Sequence, residues 1–248
     1  MNRHDLICGE GKLPKLTHND IHVWRVSTDV TPNDLQTLAG LLAADERSRA
    51  ERFRFERDHR RFAVCRGCLR LLAAAYTGED AAGIRFQYGP QGKPGLATSG
   101  PHDVQFNVSH SGEVALLAFS LGHRVGVDVE FMRPELDLAS LAGTSFSNAE
   151  RAAVLALSEE RRADLFFEYW TCKEACIKAD GRGLSAPLDQ FSVVAQPHDL
   201  QWRRVVSAGP GSLSPEMRIR ILMAGEGYAA AVAAIGQGWN VLQLCVPE

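Results

Sequence analysis

Asp128 and Glu130 stand two residues apart in Val125-Gly126-Val127-Asp128-Val129-Glu130. Two carboxylates at that spacing can hold a divalent cation. The valines alternate with Gly126, Asp128 and Glu130, the period of a strand with one apolar and one polar face. At a rise of about 3.3 Å per residue the two acidic Cα atoms lie roughly 7 Å apart on one side. Like charges so placed repel unless a cation stands between them. Mg²⁺ suits that position, because it takes one or two carboxylates and fills its shell with water and phosphate oxygens. Gly126 beside them leaves room for a ligand to approach the backbone. A solvated strand face is the other reading of the same residues. Further along, Glu174 and Lys178 stand four apart in a helical pattern, the order that favours a helical ion pair of about 0.3 kcal/mol.

The elements that must carry these groups follow from periodicity. Ile21 to Val26 reads as a strand, and Thr31-Pro32-Asn33-Asp34 as a helix start. Phe62, Cys65, Leu69, Leu72 and Tyr76 make Asp58 to Tyr76 an amphipathic helix that Gly78 ends. Between Arg47 and Arg70 there are nine arginines against three carboxylates, an excess that suits a phosphate-rich ligand or an acidic partner. A short strand, Ile84 to Tyr88, leads into Gly89-Pro90-Gln91-Gly92-Lys93-Pro94-Gly95. This loop is no P-loop, because Pro94 stands where Ser or Thr is needed. Ser109 and His110 are neighbours on a strand and point to opposite faces, which excludes a Ser–His catalytic pair. Val114 to Ser120 and Arg124 to Glu130 form a hairpin around Leu121-Gly122-His123, and Arg133-Pro134 breaks its second strand. Ser147 and Glu150 make a capping box. A helix from Glu159 to Ala179 carries Phe166, Tyr169, Trp170 and Ile177 as its apolar stripe. Strands follow at Phe191–Ala195, Gln201–Val206, Met217–Leu222 and Tyr228–Ala234, with the tail Trp239 to Val246 a further candidate.

The order of strand, helices and strands repeats roughly. The fold class is therefore α+β, with two similar halves, residues 1–122 and 123–248, and ligands between them. The chain has 248 residues, 45% hydrophobic and 23% charged, enough for a normal core. A net charge of −3 argues against nucleic acid as a partner. No apolar run approaches the roughly 20 residues that span a bilayer, and Met1 to Glu10 lacks a signal peptide's apolar core. A cytoplasmic protein without a membrane partner is expected. The six cysteines, Cys8, Cys65, Cys68, Cys172, Cys176 and Cys245, match no common zinc module and are read as reduced, buried thiols.

Five stretches occur in an order that resembles the 4′-phosphopantetheinyl transferases, and among them the long, two-half type that activates surfactin synthetase-like carrier proteins. They are the arginine-rich helix around Arg61, Gly92-Lys93-Pro94, Asn107-Val108-Ser109-His110-Ser111, Gly126 to Glu130, and Trp170-Thr171-Cys172-Lys173-Glu174-Ala175-Cys176-Ile177-Lys178 followed by Gly181-Arg182-Gly183-Leu184. The resemblance implies transfer of the phosphopantetheine arm of coenzyme A to a serine of an apo acyl carrier protein or peptidyl carrier protein domain, releasing adenosine 3′,5′-bisphosphate. By the same resemblance Asp128, Glu130 and Glu174 hold Mg²⁺, with Mn²⁺ left open. Glu174, or a water it holds, is the base, Lys178 neutralises phosphate charge, and Lys173 assists or orients Glu174. Arg49, Arg61, Gly92, Lys93, Pro94, Ser109 and His110 take the 3′-phosphate and adenine end. Glu46 stands where some relatives carry a lysine. The carrier is expected to dock on the second half, near the segment after Gly181, where Arg182 would steer it. A monomer is expected, because the fused halves build one cleft. A non-catalytic binder of coenzyme A or a carrier protein, and another Mg²⁺-dependent phosphoryl-transfer enzyme, are the alternatives.

Overall fold

The structure, a computed structural model, describes residues 13–89, 92–97, 103–133, 135–181, 187–196, 199–207 and 213–246. Met1 to Glu10 with Cys8, Pro90, Gln91, Pro134 and Arg182-Gly183-Leu184 lie outside them.

Two sheets lie back to back between two long helices. The first has the order β11-β1-β5-β4, from Asn240–Cys245, Asp20–Ser27, Val114–Leu121 and Val104–Ser111. The second has the order β6-β10-β9-β8-β7, from Val125–Phe131, Tyr228–Ile235, Met217–Ile221, Asp199–Ser207 and Phe191–Gln196. A small ribbon pairs β2, Phe86–Tyr88, with β3, Pro94–Leu96. The helices are α1 (Pro32–Gly40), α2 (Ala44–Ala50), α3 (Glu56–Thr77), α4 (Leu138–Ser145), α5 (Asn148–Leu155) and α6 (Glu159–Asp180). Both long helices, α3 and α6, end on a left-handed glycine, Gly78 and Gly181, the conformation that glycine adopts at least cost.

Period-two alternation decides which face each strand turns to which layer. Trp24, Val26, Leu117 and Phe119 pack on Val64, Cys68, Leu69 and Leu72 of α3. Their neighbours Ile21, Val23, Leu116 and Ala118 face Val127, Val129 and Val232 of the second sheet. On that sheet's far side Val193, Ile219 and Ala231 meet Cys172, Ala175 and Cys176 of α6. Val125, Val127 and Val129 thus face the shared core, and Gly126, Asp128 and Glu130 face α6.

The α+β class and most elements stand as read from the sequence. In each sheet the first strand in chain order, β1 or β6, pairs antiparallel with β5 or β10, which pairs in turn with the strand before it, β4 or β9. The tail strand β11 lies parallel to β1 in the first sheet. The expected hairpin of β5 with β6 does not form. Both edges of β5 are taken, by β1 and β4, and β6 pairs with β10 in the other sheet. The turn at Gly122 and His123 is instead the crossing between sheets, held by the Ser120 hydroxyl on the His123 carbonyl. The helix α4 and the strand β3 escaped the periodicity reading, being short and weakly patterned.

Gly126 corrects another expectation. The space beside it is filled by α6 and not by a ligand. A Cβ there would come within 2.1 Å of the Ala175 carbonyl and 2.3 Å of the Ala179 nitrogen. Both are backbone atoms and neither can swing aside. Gly126→Ala is expected to lower the unfolding free energy by about 3 kcal/mol, read from a denaturant titration. A change within about 0.5 kcal/mol, the range of a neutral surface substitution, would mean that the helix does not lie on this strand.

Candidate active site

Strands β4 and β6 are the facing edges of the two sheets, and side chains join them. Asn107 Oδ1 accepts from the Val127 amide at 2.9 Å, Ser109 Oγ from the Val129 amide at 3.4 Å and Ser111 Oγ from the Phe131 amide at 3.1 Å. Alternate residues of β4 thereby satisfy alternate amides along an edge that has no backbone partner on that side. The same hydroxyls orient the two acids. Ser109 donates to Asp128 Oδ1 at 2.8 Å and Ser111 to Glu130 Oε2 at 2.7 Å.

Helix α6 brings the other groups. Trp170, Glu174 and Lys178 recur every fourth residue and share one helix face. With Val108, Ser109, His110, Asp128 and Glu130 they line a cavity of about 430 Å³. Lys178 does not close a helical pair with Glu174. Its ammonium sits 2.6 Å from Asp128 Oδ1 and also donates to Ser109 Oγ and the Val127 carbonyl. Burial pushes the Glu130 carboxyl up from the ordinary range, against the hydrogen bond from Ser111. Burial, with Asp128 and Glu130 nearby, pushes Glu174 up as well.

Three hard carboxylate donors in one cavity fit a hard divalent cation such as Mg²⁺. The clearest sign is Asp128 Oδ2, buried and without a hydrogen-bond partner on a residue only 3% exposed. Among the described residues no three acidic or ligating side chains already converge on one point, and Lys178 and Ser111 hold one oxygen each of Asp128 and Glu130.

A second cavity, of about 220 Å³, adjoins the first at Val108 and His110. Arg49, Phe62, Arg66, Tyr88, Gly92 and Pro94 are among its walls. Arg49 lies over the Phe62 ring at 5.4 Å and Arg66 over the Phe86 ring at 4.8 Å. Burial, with Lys178 and Arg61 nearby, holds His110 below the usual imidazole range. Burial and the neighbouring cations thus favour its uncharged form.

Of the residues expected at the site, Asp128, Glu130, Glu174, Lys178, Ser109 and His110 share the acidic cavity, and Arg49, Gly92, Pro94 and His110 the cationic one. Arg61 is paired with Asp58 at 3.7 Å and lines neither. Lys93 turns its ammonium away from the cationic cavity, onto the carbonyls of Lys178 and Val125. Lys173 is directed elsewhere altogether. It is fully buried, with its ammonium 2.8 Å from Glu150 and on the carbonyls of Leu188 and Phe191. Glu150 is more than a helix cap, for it also accepts from the Val193 amide. Glu46 is buried against Arg70 at 2.7 Å and Arg66 at 3.6 Å.

Periodicity assigned Phe62 and Trp170 to apolar stripes and left Arg66 and Tyr88 unmarked. The available signal was that Phe62, Cys65, Arg66 and Leu69 fall on one helix face with an arginine among them. Lys173→Met strands a buried carboxylate, and its expected cost is about 3–5 kcal/mol of stability. Calorimetric melting tests this, and an unchanged melting temperature would free Lys173 for a role elsewhere.

Residues 26–121 match the family model described as 4′-phosphopantetheinyl transferase, N-terminal, and residues 124–233 that described as 4′-phosphopantetheinyl transferase superfamily. Over 237 residues the chain is 37% identical to the 4′-phosphopantetheinyl transferase HetI of Nostoc sp., covering 92% of this chain and 94% of that protein. It is 32% identical over 194 residues to the 4′-phosphopantetheinyl transferase Sfp of Bacillus subtilis, covering 78% of this chain and 82% of that one. A solved holo-(acyl-carrier-protein) synthase of Bacillus anthracis, in complex with CoA, aligns at a TM-score of 0.37 and 19% identity, over 45% of this chain and 93% of that chain. With nearly its whole length aligned to HetI at such identity, the chain belongs to the 4′-phosphopantetheinyl transferase superfamily and is an enzyme of its long, Sfp-like type.

Proposed function

We propose that this chain transfers the 4′-phosphopantetheine arm of coenzyme A to a serine of an apo acyl or peptidyl carrier protein, with Mg²⁺ or Mn²⁺, and releases adenosine 3′,5′-bisphosphate. One observation carries the reading. An acidic cavity with one ammonium opens beside a cationic, aromatic cavity, and His110 is common to both. Coenzyme A has the matching order of groups, an adenine with a 3′-phosphate and then a pyrophosphate. Arg49 and Arg66 would receive the 3′-phosphate end, with Phe62 and Tyr88 beside the adenine. Lys178, Ser109 and His110 would meet the pyrophosphate.

Asp128, Glu130 and Glu174 would hold the cation, which when bound offsets pyrophosphate charge as the bridging bond breaks. The Oγ of the carrier serine attacks the phosphorus that bears the pantetheine arm. A new Oγ–P bond forms, the P–O bond to the adenosine bisphosphate breaks, and the electron pair leaves with that product. Glu174 takes the serine proton. Its place in the acidic cavity, one helical turn from Lys178, puts it beside the reacting oxygens in that role. Lys178 keeps a positive charge beside the leaving phosphate.

The division at residues 122–123 belongs to the same proposal, with the nucleotide on the first half and the acids on the second. A monomer suffices, since one chain supplies both. The expected carrier-docking segment around Arg182 lies outside the described residues. Four buried free thiols, Cys65, Cys68, Cys172 and Cys176, suit a reducing cytoplasm, whereas Cys245 is exposed. Among the described residues no helix is long and apolar enough to cross a membrane.

Intact mass spectrometry of an apo carrier protein incubated with this enzyme, coenzyme A and Mg²⁺ is expected to show the gain of one phosphopantetheine. EDTA or Glu174→Gln should prevent it. Binding of coenzyme A with no gain on any acyl or peptidyl carrier would make the chain a non-catalytic binder.

The carboxylate shift gives a separate test. The folded protein holds the Glu174 proton more tightly than the unfolded chain does. Its contribution to stability is therefore greatest at low pH and is lost as pH rises through the ordinary carboxylate range to the raised value. Without divalent metal, Glu174→Gln should melt above the wild type at about pH 7.5, with the gap closing towards about pH 4. Mg²⁺ should raise the wild type more than the variant. A gap that does not change with pH would show Glu174 to be unperturbed.

A further inference from the structure

Gly92 and Pro94 line the cationic cavity, and Lys93 between them does not. Its side chain runs the other way, into a separate groove shared with Arg124 and Gly181. There the ammonium donates to the Lys178 carbonyl at 2.5 Å and to the Val125 carbonyl at 3.2 Å. Those two carbonyls belong to the two elements that bear the acidic site. Val125 opens β6, which carries Asp128 and Glu130. Lys178 lies in the last turn of α6, which carries Glu174, and its own side chain reaches Asp128.

The last carbonyls of a helix lack intrahelical partners and carry partial negative charge. Lys93 answers one of them. Arg124 answers another, donating to the Asp180 carbonyl at 3.1 Å. The strap matters because α6 lies backbone to backbone on β6 at Gly126. A slide or roll of the helix along that glycine would move Glu174 and Lys178 together relative to Asp128, and no side chain at Gly126 resists it. A cation bonded to both backbones resists it directly.

We propose that Lys93 is a positioning residue for the transfer reaction: it straps helix α6 to strand β6 and so sets Glu174 and Lys178 against Asp128, and it does not bind the 3′-phosphate. The assignment to a reaction rests on the function proposed above, but the strap itself does not. It also places the register of the acidic site under the control of the β2–β3 ribbon, which forms part of the nucleotide cavity wall.

The experiment compares the wild type with Lys93→Met and Lys93→Arg, using coenzyme A and 3′-dephospho-coenzyme A as donors and an apo acyl carrier protein as acceptor. Hydrogen exchange of the free proteins is measured alongside. Lys93→Met is expected to lower kcat on the order of tenfold to a hundredfold with either donor, leaving the ratio of their KM values as in the wild type. Exchange should quicken in the last turn of α6 and in the first residues of β6, and not in the middle of α6. Lys93→Arg, which keeps charge and donors, should recover part of both. A loss confined to the KM for coenzyme A, with 3′-dephospho-coenzyme A unaffected, would make Lys93 a phosphate ligand and overturn the proposal. Unchanged exchange in Lys93→Met would overturn it too. If the wild type itself transfers nothing, the proposed function fails, while the exchange result still decides whether the strap exists.

Discussion

The site depends on how closely helix α6 can lie on strand β6. Three acidic side chains can share one cavity only if the helix bearing Glu174 comes as near to the sheet as backbone allows. The bare Cα of Gly126 permits that, with the helix backbone where a side chain would be. The rest of the architecture serves this contact. The valines on the other face of β6 anchor the strand in the core between the sheets. Asn107, Ser109 and Ser111 fix its free edge from β4. Buried Lys173 and Glu150 hold the back of the helix to α5. Each restrains a different direction of movement, and together they leave the carboxylates little freedom.

That rigidity has an electrostatic cost. Burial disfavours ionisation of Glu130 and Glu174, and neighbouring carboxylates add to the effect. Lys178 is the cation seen among them, and it serves Asp128 above all. The free cavity is therefore frustrated, with a buried acceptor oxygen unmet on Asp128. Such a site is held in place largely by the packing around it, with Ser109, Ser111 and Lys178 meeting only some of its oxygens. The arginine-lined cavity has the opposite imbalance. A ligand that brings anionic groups to the arginines and positive charge to the carboxylates would relieve both.

Much of this was legible in residue order. The alternation of Val125 to Glu130 gave the strand, its two faces and the acid pair. The fourfold spacing of Glu174 and Lys178 put them on one helix face, and the Ser147–Glu150 box marked the start of α5. What escaped was long-range. Nothing near Val114 says that both of its strand's edges are claimed by distant partners, so adjacency suggested a hairpin where the chain changes sheets. Likewise Lys173, Glu46 and Lys93 are charged residues in motifs, and local reading sends such groups to solvent or ligand. Their destinations, a buried carboxylate, a pair of buried arginines and a helix end, are set by elements remote in sequence. Gly126 shows the same limit, since the missing side chain signalled close approach but not of what.

The parallel pairing of β11 with β1 bears on how the molecule is made. Asp20 and Asn240, 220 positions apart in the chain, are hydrogen-bonded to each other, one of the longest closures among the described residues. A parallel pair of this separation forms late, because the entropy of joining distant segments must be met before their contacts contribute. Until then β1 presents an open strand edge, and an unpaired edge is a template for association with other chains. On the ribosome this interval lasts until the whole of the second sheet has been made, at roughly 5–20 residues per second. The nascent protein is thus most vulnerable to aggregation in the first sheet, and a strand made after the whole of the second sheet is the one that seals it.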